Sequence, residues 1–196
     1  MTRTRSRLIA FAFAGAVATL PWLSGCVPVM VGAAVGGATL VATDRRSVAT
    51  QANDEETELK IANQVAALYG ERVHVNAISY NGIVLLTGEV PDQSVYASIG
   101  NIAATAVHVR SVHNELAIGP LTTLDQRTND TFITSKVKAR FVEAGRFAPN
   151  HVKVVTERGI VYLMGLVRRD EGNAAAQIAS TTTGVVRVIT LFEYIS

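Results

Sequence analysis

Residues 81–90 read NGIVLLTGEV, and residues 158–167 read RGIVYLMGLV. The two stretches coincide at Gly82/Gly159, Ile83/Ile160, Val84/Val161, Leu86/Leu163, Gly88/Gly165 and Val90/Val167. A repeat of this period points to a duplicated structural unit, so the fold question becomes what one unit looks like. Each stretch begins at a turn. Asn81-Gly82 is a strong two-residue hairpin signal, and Arg158-Gly159 keeps the glycine where a positive φ is wanted. The residues before each turn, VHVNAISY and HVKVVTE, alternate as a strand does, so each repeat centres on a β-hairpin.

Outward from the hairpins the flanks match as well. An acid-headed helix precedes each: DEETELKIANQVAALYG, with Ile61, Val65 and Leu68 at helical spacing, and NDTFITSKVKARFVEAG, with Ile133, Val137 and Phe141. Asp54, and Asp130 or Asn129, are the expected N-caps. An Ala-rich helix follows each hairpin (DQSVYASIGNIAATAV; RDEGNAAAQIASTTTG), and a last strand closes each unit (VRSVHNELAI; VVRVITLFEYI). The order α-β-β-α-β occurs twice. The expected class is α+β, with two helices on one face of a three-stranded mixed sheet in each unit. The expected boundaries are a signal segment over 1–25, a Gly/Ala-rich tether over 26–52, a first unit over 53–119, a connector over 120–129 and a second unit over 130–196.

The N-terminal segment is a targeting signal. Arg3, Arg5 and Arg7 precede the apolar run LIAFAFAGAVATL, and the segment ends in LSGC, where Cys26 is the sole cysteine of the 196-residue chain. LSGC resembles the bacterial lipobox, which implies cleavage before Cys26 and acylation there; Val27 in the next position implies sorting to the outer membrane. The apolar stretch 27–42, with Gly32 and Gly36 at GxxxG spacing, is short and glycine-rich, and is expected to pack partly on the folded body rather than span a bilayer. Residues 26–120 carry 5 Lys/Arg and 9 Asp/Glu, whereas residues 121–196 carry 10 and 7. Only the second half suits an anionic surface.

Taken together, the α-β-β-α-β unit with G-x-V-x-L-x-G-x-V, the Ala-rich helix carrying AAAQIAS and the final G-V-x-x-V resemble the BON domain. Two such units behind a lipobox, with ATDRRSVATQ and NDTFITSKVKARF in place, resemble the outer-membrane lipoproteins of that family. One departure is His108, standing where the second unit has Gly184. The resemblance implies a non-enzymatic, lipid-anchored protein on the periplasmic face of the outer membrane, without a cofactor, that supports membrane integrity and gathers at division sites. Its implied partner is anionic phospholipid, phosphatidylglycerol or cardiolipin. The chain reads as a monomer that binds no nucleic acid, and an envelope protein partner is the alternative.

Catalytic chemistry finds no foothold. His74, His108, His113 and His151 lack metal-ligand spacing and read as solvated strand or turn residues; no metal site is expected. P-loop, G-x-S-x-G and H-E-x-x-H patterns are absent. The hairpin glycines bracket one short strand rather than lead a strand into a helix, so a phosphate loop is not indicated.

The lipid-binding candidates lie on the second unit's first helix. At about 100° per residue, Ile133, Val137 and Phe141 form a core stripe, while Phe132 and Lys136 lie on its far side, with Ala139 and Arg140 at the margins. An aromatic ring beside cations on a solvent face suits a membrane interface, each cation there contributing about 1 kcal/mol. Phe132, Lys136 and Arg140 are the candidate contacts, with Thr131, Ser135 and Lys138 at the edge. In the related family an aromatic at this place enters the bilayer, a tryptophan there. The alternative is that Phe132 packs against the first unit or the connector. Arg168 and Arg169 are either a secondary basic patch or a solvated turn.

Overall fold

The computed structural model describes residues 44–196, so the expectations for the signal segment, Cys26 and the 27–42 stretch lie outside the described residues. The described chain runs α1 (Val48–Tyr69), β1 (His74–Tyr80), β2 (Ile83–Val90), α2 (Gln93–Ala104), β3 (Ser111–Asn114), β4 (Ala117–Ile118), α3 (Leu124–Ala144), β5 (Lys153–Glu157), β6 (Ile160–Val167), α4 (Arg169–Ser180) and β7 (Arg187–Tyr194). Both hairpins form in the expected register: β1 pairs antiparallel with β2 through Tyr80↔Ile83, and β5 with β6 through Glu157↔Ile160. Asn81 and Gly82 have φ of 52° and 75°, and Arg158 and Gly159 have 53° and 75°. Both turns therefore take two positive φ values, the condition of the type I′ hairpin.

The closing strands run parallel to the central ones, β3 and β4 along β2 and β7 along β6, with α2 and α4 as the crossovers. β7 is continuous over eight residues, whereas its counterpart is broken between Asn114 and Ala117 into β3 and β4. His108 takes φ 68°, the left-handed conformation that Gly184 takes at 99°.

Two expectations are corrected at the helix starts. α1 begins at Val48 with Ser47 as its N-cap, and α3 begins at Leu124 with Thr123 and Gln126 forming a capping box. Asp54 and Asp130 are thus mid-helix and buried. Their carboxylates reach across to the hairpins: Asp54 accepts from the backbone N–H groups of Asn81 and Gly82, and Asp130 from those of Arg158 and Gly159, at 2.7–2.8 Å. The acid cap belongs to the turn, not to the helix. A third correction concerns Leu68, which is 55% exposed; the inward stripe runs Ile61, Val65, Tyr69, and the Tyr69 hydroxyl donates to Ser98 Oγ at 2.6 Å.

Each unit has its own helix-to-sheet core. Ile61, Val65, Val84, Leu86, Val90, Ile99 and Ala103 fill the first; Ile133, Val137, Phe141, Val161, Leu163 and Ala175 fill the second. Phe141 and Phe147 meet edge-on there at 5.0 Å. The opposite faces of the two sheets join in a third cluster, in which Tyr80 and Leu85 pack with Tyr162 and Met164. The layers are helix, sheet, sheet, helix, which explains why β2 and β6 are near-continuous apolar runs: they are covered on both faces.

The entry of the chain clasps this arrangement. Arg45 makes a two-pronged ion pair with Glu171 at 2.6 and 2.9 Å and donates to the Leu166 carbonyl at 2.8 Å. Arg46 pairs with Asp44 and Asp54 and lies 3.9 Å from the Tyr80 ring centroid. Hydrogen bonding from Arg45 holds the Glu171 carboxyl at about 2, against burial.

Candidate functional site

Because α3 starts two turns earlier than its acid head suggests, its outer face is longer than the sequence reading allowed. Leu124, Phe132 and Val142 are 78%, 61% and 66% exposed, with Thr128, Ser135 and Ala139 between them at helical spacing. The stripe is apolar or hydroxylic. Phe132 sits near its middle, and the Lys136 ammonium lies 4.8 Å from the ring centroid. Among the described residues Phe132 belongs to none of the hydrophobic clusters, and its ring lies at the surface.

Lys136 is also anchored behind the ring, donating to the Thr183 carbonyl at 2.6 Å. Arg140, half-buried, donates to the Ile178 carbonyl at 2.9 Å and to Thr182 Oγ1 at 2.7 Å, so its charge meets the exposed carbonyl end of α4. These two cations, Ala139 and the run Thr181–Thr183 line a shallow recess of about 270 Å³ beside Phe132. Two cations around a recess next to an exposed ring can hold an anionic oxygen group while the ring enters an apolar phase. The threonine run mostly closes the helix end: Thr181 Oγ1 donates to the Gln177 carbonyl at 3.0 Å and Thr182 Oγ1 to the Ile178 carbonyl at 2.8 Å.

The remaining candidates lie toward the other edge of the helix, Ser135 being shared with the stripe. Lys138, Thr131 and Ser135 border a cleft of about 500 Å³ between α3, β5 and β1. The Thr131 and Ser135 hydroxyls donate to the carbonyls of Arg127 and Thr131 within α3. Arg168 and Arg169 are exposed at the start of α4, where Arg168 pairs with Asp170 and Glu171, and Arg169 lies 4.8 Å from the Tyr194 ring. Among the described residues no helix is long and apolar enough to cross a membrane.

Two α-β-β-α-β units, joined sheet to sheet, with one helix displaying an aromatic-cationic face, define the class. Residues 53–120 and 129–196 each match the BON domain, and the chain belongs to that family. It is 40% identical over 178 residues to the outer membrane lipoprotein DolP of Haemophilus influenzae, covering 89% of this chain and 91% of that one. It is also 34% identical over 154 residues to a 21 kDa hemolysin of Actinobacillus pleuropneumoniae, covering 78% and 79%. With likeness over nearly the whole of both chains to the first of these, the chain takes its place among outer-membrane lipoproteins built of BON domains.

Proposed function

We propose that the protein is a non-enzymatic, periplasm-facing lipoprotein, anchored through acylated Cys26, whose second BON domain binds anionic phospholipid. Phe132 enters the acyl boundary, and Lys136 and Arg140 meet the headgroup phosphate. The single observation that carries this reading is the exposed Phe132 ring held beside the Lys136 ammonium, on a helix whose inward positions Ile133, Val137 and Phe141 are fully packed. An aromatic ring left 61% exposed gains free energy on entering a lipid interface, and an adjacent cation biases the binding toward anionic headgroups. The affinity of the face alone is modest, but the lipid anchor converts it into an intramolecular encounter at high effective concentration. In that role the protein supports outer-membrane integrity and collects where phosphatidylglycerol or cardiolipin is enriched, division sites included.

The test is co-sedimentation of the whole chain bearing Cys26→Ser with vesicles of phosphatidylcholine alone and of phosphatidylcholine with phosphatidylglycerol or cardiolipin. Binding is expected only to the anionic vesicles, and it should weaken as salt is raised. Equal, negligible binding to all three would overturn the reading and leave the stripe as a contact for an envelope protein.

A further inference from the structure

Three strands from the two units converge at the mouth of the cleft between α3 and β1. His74 opens β1, Glu89 lies near the end of β2, and Glu157 ends β5. One ligand atom from each, an imidazole nitrogen and two carboxylate oxygens, lies within 4.8 Å of the others. Glu89 is fully buried. Its Oε2 is well supplied, by His74 Nδ1 at 3.1 Å and by the backbone N–H and hydroxyl of Thr122, both at 3.0 Å. Its Oε1 is buried with no hydrogen-bond partner at all.

Glu157 is 6% exposed and, among the described residues, its carboxylate accepts only from the Asn76 amide, at 3.0 Å. Among the described residues, neither carboxylate is paired with a lysine or arginine. The nearby cations are engaged elsewhere: Lys153 with Glu58 at 2.7 Å, and Arg127 with Thr122 Oγ1 at 3.1 Å. The cluster therefore holds more negative charge than its protein surroundings balance. Two close, buried carboxylates with an orphan oxygen are costly unless a cation or a proton joins them.

We propose that His74, Glu89 and Glu157 bind a divalent transition-metal ion of the zinc class, which ties β1 and β2 of the first unit to β5 of the second. One imidazole with two carboxylates is a borderline nitrogen-oxygen donor set that suits such an ion. A tetrahedral ion with bonds of about 2.1 Å sets its ligand atoms about 3.4 Å apart, so the present spacing closes by side-chain rotation of roughly 1 Å. Thr122, already bonded to Glu89, orients that carboxylate as outer partners do in metal sites. The cleft, also bordered by His74 and Glu157, gives the ion an entry path. The donor set was invisible in the sequence because its members are 15 and 68 residues apart along the chain.

The experiment uses the mature, lipidated chain, free of any affinity tag and held in detergent. Zn²⁺ is titrated after chelator treatment, following the thermal midpoint and the backbone amide NMR shifts. One ion per chain is expected, with a midpoint rise of about 5 °C at a hundredfold excess over Kd that a chelator reverses. Glu89→Gln and Glu157→Gln should each abolish the rise while leaving the metal-free midpoint unchanged or higher, because each removes uncompensated charge. His108→Gln and His113→Gln should keep it. In the unaltered protein the amide shifts should centre on residues 73–76, 88–90, 122 and 156–158. A rise that survives Glu157→Gln, shifts centred on His108 or His113, or no zinc-dependent change at all would each overturn the proposal.

Discussion

Replacing Phe132 by alanine separates membrane contact from packing. An aromatic side chain offers roughly 200 Å², and Phe132 is 61% exposed, so about 120 Å² of ring surface faces solvent. At about 25 cal/mol per Å², burying all of it would contribute about 3 kcal/mol. An interfacial site stays wet on one side, and half of that, about 1.5 kcal/mol, is the working figure; it corresponds to roughly tenfold weaker partitioning. Stability should hardly move, because the ring fills no cavity and its contact with Lys136 at 4.8 Å is an exposed cation–π pair of about 0.5–1 kcal/mol. Vesicle co-sedimentation on phosphatidylglycerol-containing membranes, run beside a urea melt of the same variant, measures both quantities. Phe132→Trp should bind more tightly than the parent, since the indole N–H suits the headgroup level. Binding within twofold of the parent, or a stability loss above about 2 kcal/mol, would refute the reasoning.

Other perturbations test the fold that presents this face. Asp130→Ala strips the acceptor from the part-buried N–H of Arg158 and the buried N–H of Gly159; a loss of about 2–4 kcal/mol is expected in urea denaturation, with the equivalent Asp54→Ala at least as costly because Ser79 and Arg46 lose a partner too. Glu171, held at about 2 by Arg45, titrates below its ordinary value of 4.5. Its contribution to stability is therefore present above about pH 4.5 and lost as pH falls toward 2, and Arg45→Ala should flatten that part of the stability–pH curve. Replacing His108 (φ 68°) by glycine should raise stability by at most about 1 kcal/mol. Gly184→His should lower it by about 2 kcal/mol, since an added Cβ would sit 3.0 Å from Ile133 Cγ1.

The parts of the fold legible in the sequence are those fixed by neighbours along the chain. Asn81-Gly82 and Arg158-Gly159 announce turns because positive φ at the second position admits few residues besides glycine, and both turns form. The helix starts misled because acidic residues near a helix N-terminus are normally there for the dipole. Here Asp54 and Asp130 serve hairpins about 27 residues downstream, and the real caps, Ser47 and Thr123, lie seven residues before them. That partnership is tertiary and leaves no local pattern. The sheet-to-sheet contact did leave one: IVLL and IVYLM are apolar at every position, which one covered face does not require. At the candidate face, Phe132 stood out from helical periodicity, but Leu124 joins the stripe only once α3 is known to begin at 124.

What distinguishes the two units is how each uses the same lysine. Aligned on Asp54 and Asp130, Lys60 and Lys136 occupy one position, and so do Glu56 and Phe132. In the first unit Lys60 pairs with Glu56 one turn away, and its charge is cancelled within the helix. In the second the partner is a ring, whose attraction for the ammonium comes from its quadrupole and leaves the positive charge in place. The exchange of a carboxylate for an aromatic thus does two things at one site: it creates apolar surface, and it leaves the Lys136 charge, held between the ring and the Thr183 carbonyl, without a carboxylate to cancel it. A reversal, Phe132→Glu, would restore the first unit's pair and should abolish binding to anionic vesicles more completely than Phe132→Ala, because it removes the ring and neutralises Lys136 together.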